Sequence, residues 1–196
     1  MGYETTSLIG EQATKRNIEA ALQQLCSEGG NIFFHYSGHG SLQHSGQHDS
    51  QGQPPNVLVP ADKDTAGYID DKYLRSCIDY LPEGSVFLST LDCCHSQTGF
   101  NLRFVYEQPR DVTIYPEYTP TKACVAILSS ALDEQKSYET NFRGVKTGEL
   151  TAAINTCWDE NISDPLIILE RIQGQIRTSR PCLSLGKNNG CVINFL

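Results

Sequence analysis

The chain has 196 residues, with 15 basic and 23 acidic side chains that give a formal net charge of −8. This length suits one domain with its own core, and the acidic balance argues against nucleic acid and for a cationic peptide as partner. No apolar run approaches the roughly 18 residues that a membrane span requires. The eight cysteines include no Cys-x-x-Cys pair, which disfavours a zinc site or a disulfide framework. We therefore expect reduced thiols, a cytoplasmic location and no membrane association.

The first half of the chain alternates helical and extended segments. Apolar residues at helical spacing predict a helix over 12–27, which Gly29-Gly30 ends. A buried strand is expected over 31–36, followed by a long polar loop over 41–56. Asp70 is a suitable N-cap for a second helix, and a second apolar strand leads from there to Cys93.

The first half is followed by an irregular stretch, 99–122, which contains three prolines and has no clear hydrophobic period. We interpret it as a connection between a first half, 1–98, and a second half, 123–196, of one domain. A third buried strand is expected at 123–130, and helices at 147–158 and after Asp164-Pro165. The tail from Pro181 is expected to add an edge strand. The alternation predicts an α/β fold with a parallel sheet covered on both faces.

Both buried strands of the first half end in chemically reactive groups. One runs into His35-Tyr36-Ser37-Gly38-His39-Gly40 and the other into Asp92-Cys93-Cys94-His95-Ser96. Binding and catalytic sites form beyond the carboxyl ends of such strands, so neighbouring strands would bring His39 and Cys94 to one edge. An imidazole can favour the thiolate and later protonate a leaving amine, and the N–H groups of Gly40 and Cys94 can act as oxyanion donors. The alternative is that the cysteines are small core residues and His39 has only a structural role in a turn.

These two motifs resemble the signature motifs of metacaspases, which belong to the caspase-like cysteine peptidases. The segments 13–18, 58–62, 67–71, 132–139 and 147–151 also resemble that family, so the similarity covers nearly the whole chain and is closest to type I. The resemblance implies a caspase-like, mostly parallel sheet sandwiched by helices. We expect the chain to lack the first strand of that sheet. It also implies a cysteine endopeptidase that cleaves protein or peptide substrates after Arg or Lys.

The resemblance assigns roles to individual residues. It makes Cys94 the nucleophile and His39 its partner, and leaves Cys93 structural. Asp92 matches the acid that selects a basic P1 side chain, and Ser37 matches a wall of the same pocket. A carboxylate beside the nucleophile suits a guanidinium, although Asp92 could instead cap the start of the following helix.

The family's calcium site is only partly matched in this sequence. The corresponding residues are Asp70 and Asp71, Asn101 where an aspartate is expected, and Asp49 in the loop. Calcium affinity depends on the number and charge of oxygen ligands, so the sequence predicts a weakened calcium site or no cofactor. Asp70 and Asp71 are equally well explained as acids at a helix N-terminus. His44 and His48, near Asp49, are interpreted as solvated.

Two other functions remain open at this level. The chain could be a truncated, inactive homologue that acts as a scaffold or regulator through the same fold. It could also be a thiol redox protein that uses Cys93 and Cys94, but neighbouring cysteines form only a strained ring. We expect a monomeric peptidase.

Overall fold

The computed structural model describes residues 4–43, 54–160 and 162–187. A 3₁₀ turn at Gly10–Gln12 precedes five helices: α1 (Lys15–Glu28), α2 (Lys63–Ala66), α3 (Asp71–Asp79), α4 (Glu149–Asp159) and α5 (Pro165–Gln175). The strands are β1 (Asn31–Ser37), β2 (Gly40–Leu42), β3 (Asn56–Leu58), β4 (Ile69–Asp70), β5 (Val86–Asp92), β6 (Phe104–Gln108), β7 (Asp111–Ile114), β8 (Cys124–Ser129), β9 (Glu139–Phe142), β10 (Val145–Gly148) and β11 (Cys182–Leu185).

Within the described residues, the main sheet has six strands in the order β1-β5-β8-β11-β6-β7. Strands β1, β5 and β8 are parallel neighbours, whereas β11 runs antiparallel to both β8 and β6, and β6 runs antiparallel to β7. Four of the six strands, β1, β5, β8 and β6, therefore point the same way, as a mostly parallel sheet requires. The tail strand β11, expected at an edge, lies inside the sheet.

Two helix layers cover the two faces of this sheet, because its central strands are apolar on both sides. Phe87 and Leu91 of β5 pack with α1 and α3, while Leu88 packs with α4 and α5. Strand β8 shows the same division, with Val125 and Ile127 on the first face and Ala126 and Leu128 on the second. This arrangement confirms the predicted α/β sandwich.

The segment 99–122, predicted to be a connection, contains β6 and β7, which extend the main sheet through a turn at Pro109-Arg110. Two smaller units stand beside that sheet: the three-stranded sheet β2-β3-β4 and the hairpin β9-β10. Among the described cysteines, six are free thiols, and Cys124 is disulfide-bonded, so the expectation of reduced thiols is wrong for that residue. No helix in the described residues has both the length and the apolar composition needed to cross a bilayer.

Helix starts follow the capping residues of the sequence. Thr14 and Asp70 accept hydrogen bonds from the third helical residues of α1 and α3, and Asp164 accepts two from the first turn of α5. Helix α4 differs, because its N-cap is Gly148, which has no capping side chain. The side chain that caps α4 is that of Asp92, at the end of β5, and it belongs to the candidate site.

Candidate active site

The carboxyl ends of β1 and β5 lie side by side. Ser37 is paired with Asp92 in the parallel register, and the N–H of Gly38 donates to the Asp92 carbonyl at 3.3 Å. A Cβ atom on Gly40 would lie 2.1 Å from the carbonyl oxygen of Cys94, so only glycine permits this approach of the two backbones. The structure therefore brings the two predicted motifs to one edge of the sheet.

The turn that carries His39 is fixed by Tyr36. The Tyr36 hydroxyl lies 2.9 Å from the His39 carbonyl and 3.1 Å from the Val59 carbonyl. The Val59 N–H also donates to the His39 carbonyl at 3.0 Å. The His39 residue itself is exposed, so its backbone is held while its ring remains accessible.

The two neighbouring cysteines have different environments. Cys93 is 2% exposed, and burial raises the pKa of its thiol far above the ordinary value, with a further contribution from Asp92. Cys94 is half-buried at the sheet edge. Since the thiolate is the reactive form, Cys93 is suited to a structural role and Cys94 is the accessible thiol.

The backbone of Cys93 is held by Ser130, which follows β8. The Cys93 N–H donates to the Ser130 hydroxyl oxygen at 3.1 Å, and that hydroxyl donates to the Cys93 carbonyl at 2.9 Å. A single buried side chain therefore satisfies both backbone groups of the residue before Cys94. This bridge continues the pairing of β5 and β8 past the end of the strands.

The loop after β8 also reaches Cys94 and Asp92 through Ser137. The Ser137 N–H lies 3.3 Å from the sulfur of Cys94, and its hydroxyl donates to Oδ1 of Asp92 at 3.1 Å. Ser137 thus joins the candidate nucleophile to the candidate specificity residue.

Asp92 caps helix α4. It is 5% exposed, and its Oδ2 accepts hydrogen bonds from the N–H and the hydroxyl of Thr151 at 2.8 and 2.5 Å. A Cβ atom on Gly148 would lie 2.0 Å from the same oxygen, so the glycine makes room for the carboxylate at the helix end. The capping alternative is therefore realised, although for a helix that begins much later in the chain than the one expected. Oδ1 of Asp92 accepts the Ser137 hydroxyl, and the same Ser137 faces the Cys94 sulfur with its N–H.

The residues predicted to bind calcium do not assemble into a calcium site in the described part of the chain. Asp70 accepts the N–H of Tyr73 at 2.7 Å as the cap of α3. Asp71 is 6% exposed and accepts the Asn56 N–H at 3.2 Å, and Asn101 bonds its side chain. Burial raises the pKa of Asp71 to about 6.

Two buried oxygens in this region, Oδ1 of Asp71 and Oδ1 of Asn56, have no hydrogen-bond partner among the described residues. No group of three or more His, Cys, Asp or Glu residues suited to a metal ion occurs among the described residues. Calcium takes about six to eight oxygens and gains affinity from carboxylate charge, so this donor set does not fit the ion. Asp49 lies outside the described residues, as do His44 and His48.

Sequence reasoning missed four residues that shape the site: Ser130, Asp133, Ser137 and Thr151. They lie 35–59 positions from the residues that they contact, so no local pattern connects them. The one available signal was the polar pair Ser129-Ser130 at the end of an apolar strand, which is where α/β proteins place functional groups.

Comparison with known proteins assigns the family. A profile described as "Metacaspase, peptidase C14 domain" matches residues 3–103, which is more than half of the chain. The chain belongs to the metacaspase family. It is 33% identical to metacaspase-3 of Arabidopsis thaliana over 152 residues, which cover 70% of this chain and 42% of that protein. It is 29% identical to metacaspase-1 of Plasmodium falciparum over 161 residues, which cover 79% of this chain and 26% of that protein.

The chain thus spans less than half of the length of these metacaspases. Its fold is also similar to the crystal structure of protein GSU0716 from Geobacter sulfurreducens, with a TM-score of 0.69 and 16% identity. That match covers 94% of this chain and 78% of the other and concerns the fold alone.

Proposed function

We propose that this metacaspase-family protein is a cysteine endopeptidase that hydrolyses peptide bonds after Arg or Lys, with Cys94 as nucleophile and His39 as its acid–base partner. The observation that carries the proposal is the approach of the Gly40 backbone to Cys94, which joins the turn holding an exposed imidazole to an accessible thiol. A Cys–His pair that is distant in sequence and adjacent in space is what nucleophilic catalysis requires.

In this mechanism His39 takes the proton of the Cys94 thiol, and the thiolate attacks the scissile carbonyl carbon. The N–H groups of Gly40 and Cys94 are the proposed donors to the oxyanion that forms. The C–N bond then breaks, and the amine leaves with the proton that His39 returns to it. Water hydrolyses the resulting thioester with His39 as base, which regenerates the thiol and releases the carboxylate product.

Specificity for a basic P1 side chain is proposed to come from Asp92, with Ser37 as a neighbouring wall. A guanidinium could bind the carboxylate in place of the Ser137 hydroxyl at Oδ1, while Thr151 keeps Oδ2 fixed at the start of α4. A substrate with aspartate at P1 would place two carboxylates together in a poorly hydrated pocket and should be rejected.

Kinetics on three fluorogenic peptides that differ only at P1, carrying Arg, Lys or Asp, test both parts of the proposal. Cys94→Ala should lose peptidase activity by several orders of magnitude, whereas its neighbour control Cys93→Ser should keep most of it. The Arg and Lys peptides should be cleaved and the Asp peptide ignored. Equal rates for wild type and Cys94→Ala would refute the nucleophile, and equal rates for P1 Arg and P1 Asp would refute the pocket.

A further inference from the structure

The residue after Cys94 has an unusual backbone conformation. His95 has a φ of 52°, in the left-handed region that residues other than glycine adopt rarely. Such a conformation persists only where surrounding contacts determine it, and it concentrates at functional sites. The turn that leaves β5 therefore depends on contacts that hold His95 in place.

Those contacts come from the loop after β8. The His95 N–H donates to the carbonyl of Gln135 at 3.1 Å, and its ring Nδ1 bonds the carbonyl of Asp133. Since a carbonyl oxygen only accepts, Nδ1 must carry the proton in this contact. The ring is thereby bonded to the loop through Nδ1.

A second anchor on the same loop holds the far side of the turn. The carboxylate of Asp133 accepts the N–H of Thr98 at 3.0 Å and its hydroxyl at 2.6 Å. The loop continues to Ser137, whose N–H faces the sulfur of Cys94. The left-handed turn is thus fixed to the segment that contacts the nucleophile.

We infer that His95 is a positioning residue, whose ring holds this left-handed turn so that the Cys94 sulfur is aligned for attack. The inference rests on the proposed peptidase function. In this role, residue 95 needs both a backbone that tolerates a positive φ and a side-chain N–H that reaches the Asp133 carbonyl. Misplacing a nucleophile by about 1 Å can lower a rate by about 10²-fold, so the loss of the anchor should reduce kcat without removing substrate binding.

Three replacements at His95 separate the backbone from the ring. His95→Gly removes both the ring and the backbone strain of the positive φ, whereas His95→Ala removes the ring and keeps the strain. His95→Asn tolerates the positive φ and keeps a side-chain N–H donor. Arg143→Ala is the matched control, because Arg143 has a φ of 53° at the exposed β9–β10 turn. We expect kcat for the P1-Arg peptide to fall by about 10- to 100-fold in the Gly and Ala variants with KM nearly unchanged. It should recover in part in the Asn variant and stay near wild type in the control.

Alkylation of Cys94 by iodoacetamide, followed by peptide mapping across a pH series, gives a readout that needs no turnover. The Gly and Ala variants should change the Cys94 alkylation profile relative to wild type, because a displaced sulfur loses the Ser137 N–H that faces it. If His95→Gly keeps both the wild-type kcat and the wild-type alkylation profile, the positioning role is wrong. A wild-type protein without peptidase activity would refute the proposed function, and the alkylation profiles would still decide the role of His95.

Discussion

Replacing Asp71 by asparagine is expected to stabilise the protein at neutral pH, because burial of the carboxylate outweighs the hydrogen bonds that it accepts. Asp71 is 6% exposed at the start of α3. Its Oδ2 accepts the Asn56 N–H at 3.2 Å and Asn101 also bonds its side chain, whereas no partner for the buried Oδ1 occurs among the described residues. Burial is the main reason why the pKa of Asp71 rises from 3.8 to about 6, and the nearby charge of Asp70 adds to the rise.

The sign and size of the effect follow from this pKa. The folded state binds the proton more tightly than the unfolded chain, so the stability that protonation contributes is fully present below pH 3.8 and is lost as pH rises through about 6. The difference between these two pKa values corresponds to a loss of about 3 kcal/mol above pH 6. Asparagine has no charge to interact with the dipole of α3, which costs up to about 1 kcal/mol. The free energy of unfolding of Asp71→Asn should therefore exceed that of wild type by about 2 kcal/mol.

Urea denaturation at pH 4, 5, 6 and 7.5, in buffers with a chelator, measures this directly. The free energy of unfolding of Asp71→Asn should exceed that of wild type at pH 7.5 and converge with it at pH 4. Asp70→Asn is the matched control: its side chain caps α3 through an oxygen that asparagine also has, so it should change stability little. A variant Asp71→Asn that is less stable than wild type at pH 7.5 would refute the reasoning, as would an equal gain in Asp70→Asn.

Three further predictions concern the cap of α4, the response to calcium and self-cleavage. Thr151→Val removes the hydroxyl bonded to Asp92 but keeps the backbone N–H, and it should lower the free energy of unfolding by about 1–2 kcal/mol in urea titrations. An unchanged value would contradict a stabilising role for the hydroxyl bond. Activity should be the same in calcium and chelator, or respond only at about millimolar calcium; a micromolar calorimetric isotherm on Cys94→Ala would contradict this. Active protein should cleave itself after Arg110, at the exposed β6–β7 turn, whereas Cys94→Ala should stay intact. An intact-mass spectrum that shows only the uncleaved wild-type chain would contradict this prediction.

The strands that carry the site could be predicted because their signal is local. Apolar runs that end at Ser37, Asp92 and Ser129 mark parallel strands, which place their carboxyl ends at one edge of the sheet. Strands β5 and β8 are buried on both faces, whereas β1 is a partly exposed edge strand. Helices α3 and α5 could be predicted from their caps, Asp70 and Asp164. Periodicity and capping therefore account for the sheet centre, the helix layers and the placement of the two motifs.

The remaining features depend on contacts between distant parts of the chain. Strands β6 and β7 have only five and four residues, too short for a period to appear among the prolines of their segment. The loop after β8 holds Cys93 and His95 through contacts that no local pattern encodes. The sequence allows Asp92 to cap a helix, but only the folded chain shows that this helix is α4.

The central claim is that Cys94 is the activated thiol of a site that selects a basic P1 residue. Peptidyl chloromethylketones that carry Arg or Asp at P1 test it directly, with the site of labelling found by intact mass and peptide mapping. The Arg reagent should add once per chain, on Cys94, and a P1-Arg peptide should protect against it, while the Asp reagent should leave the folded protein unlabelled. An adduct on Cys93, equal labelling by both reagents, or no adduct on folded wild-type protein would contradict the account.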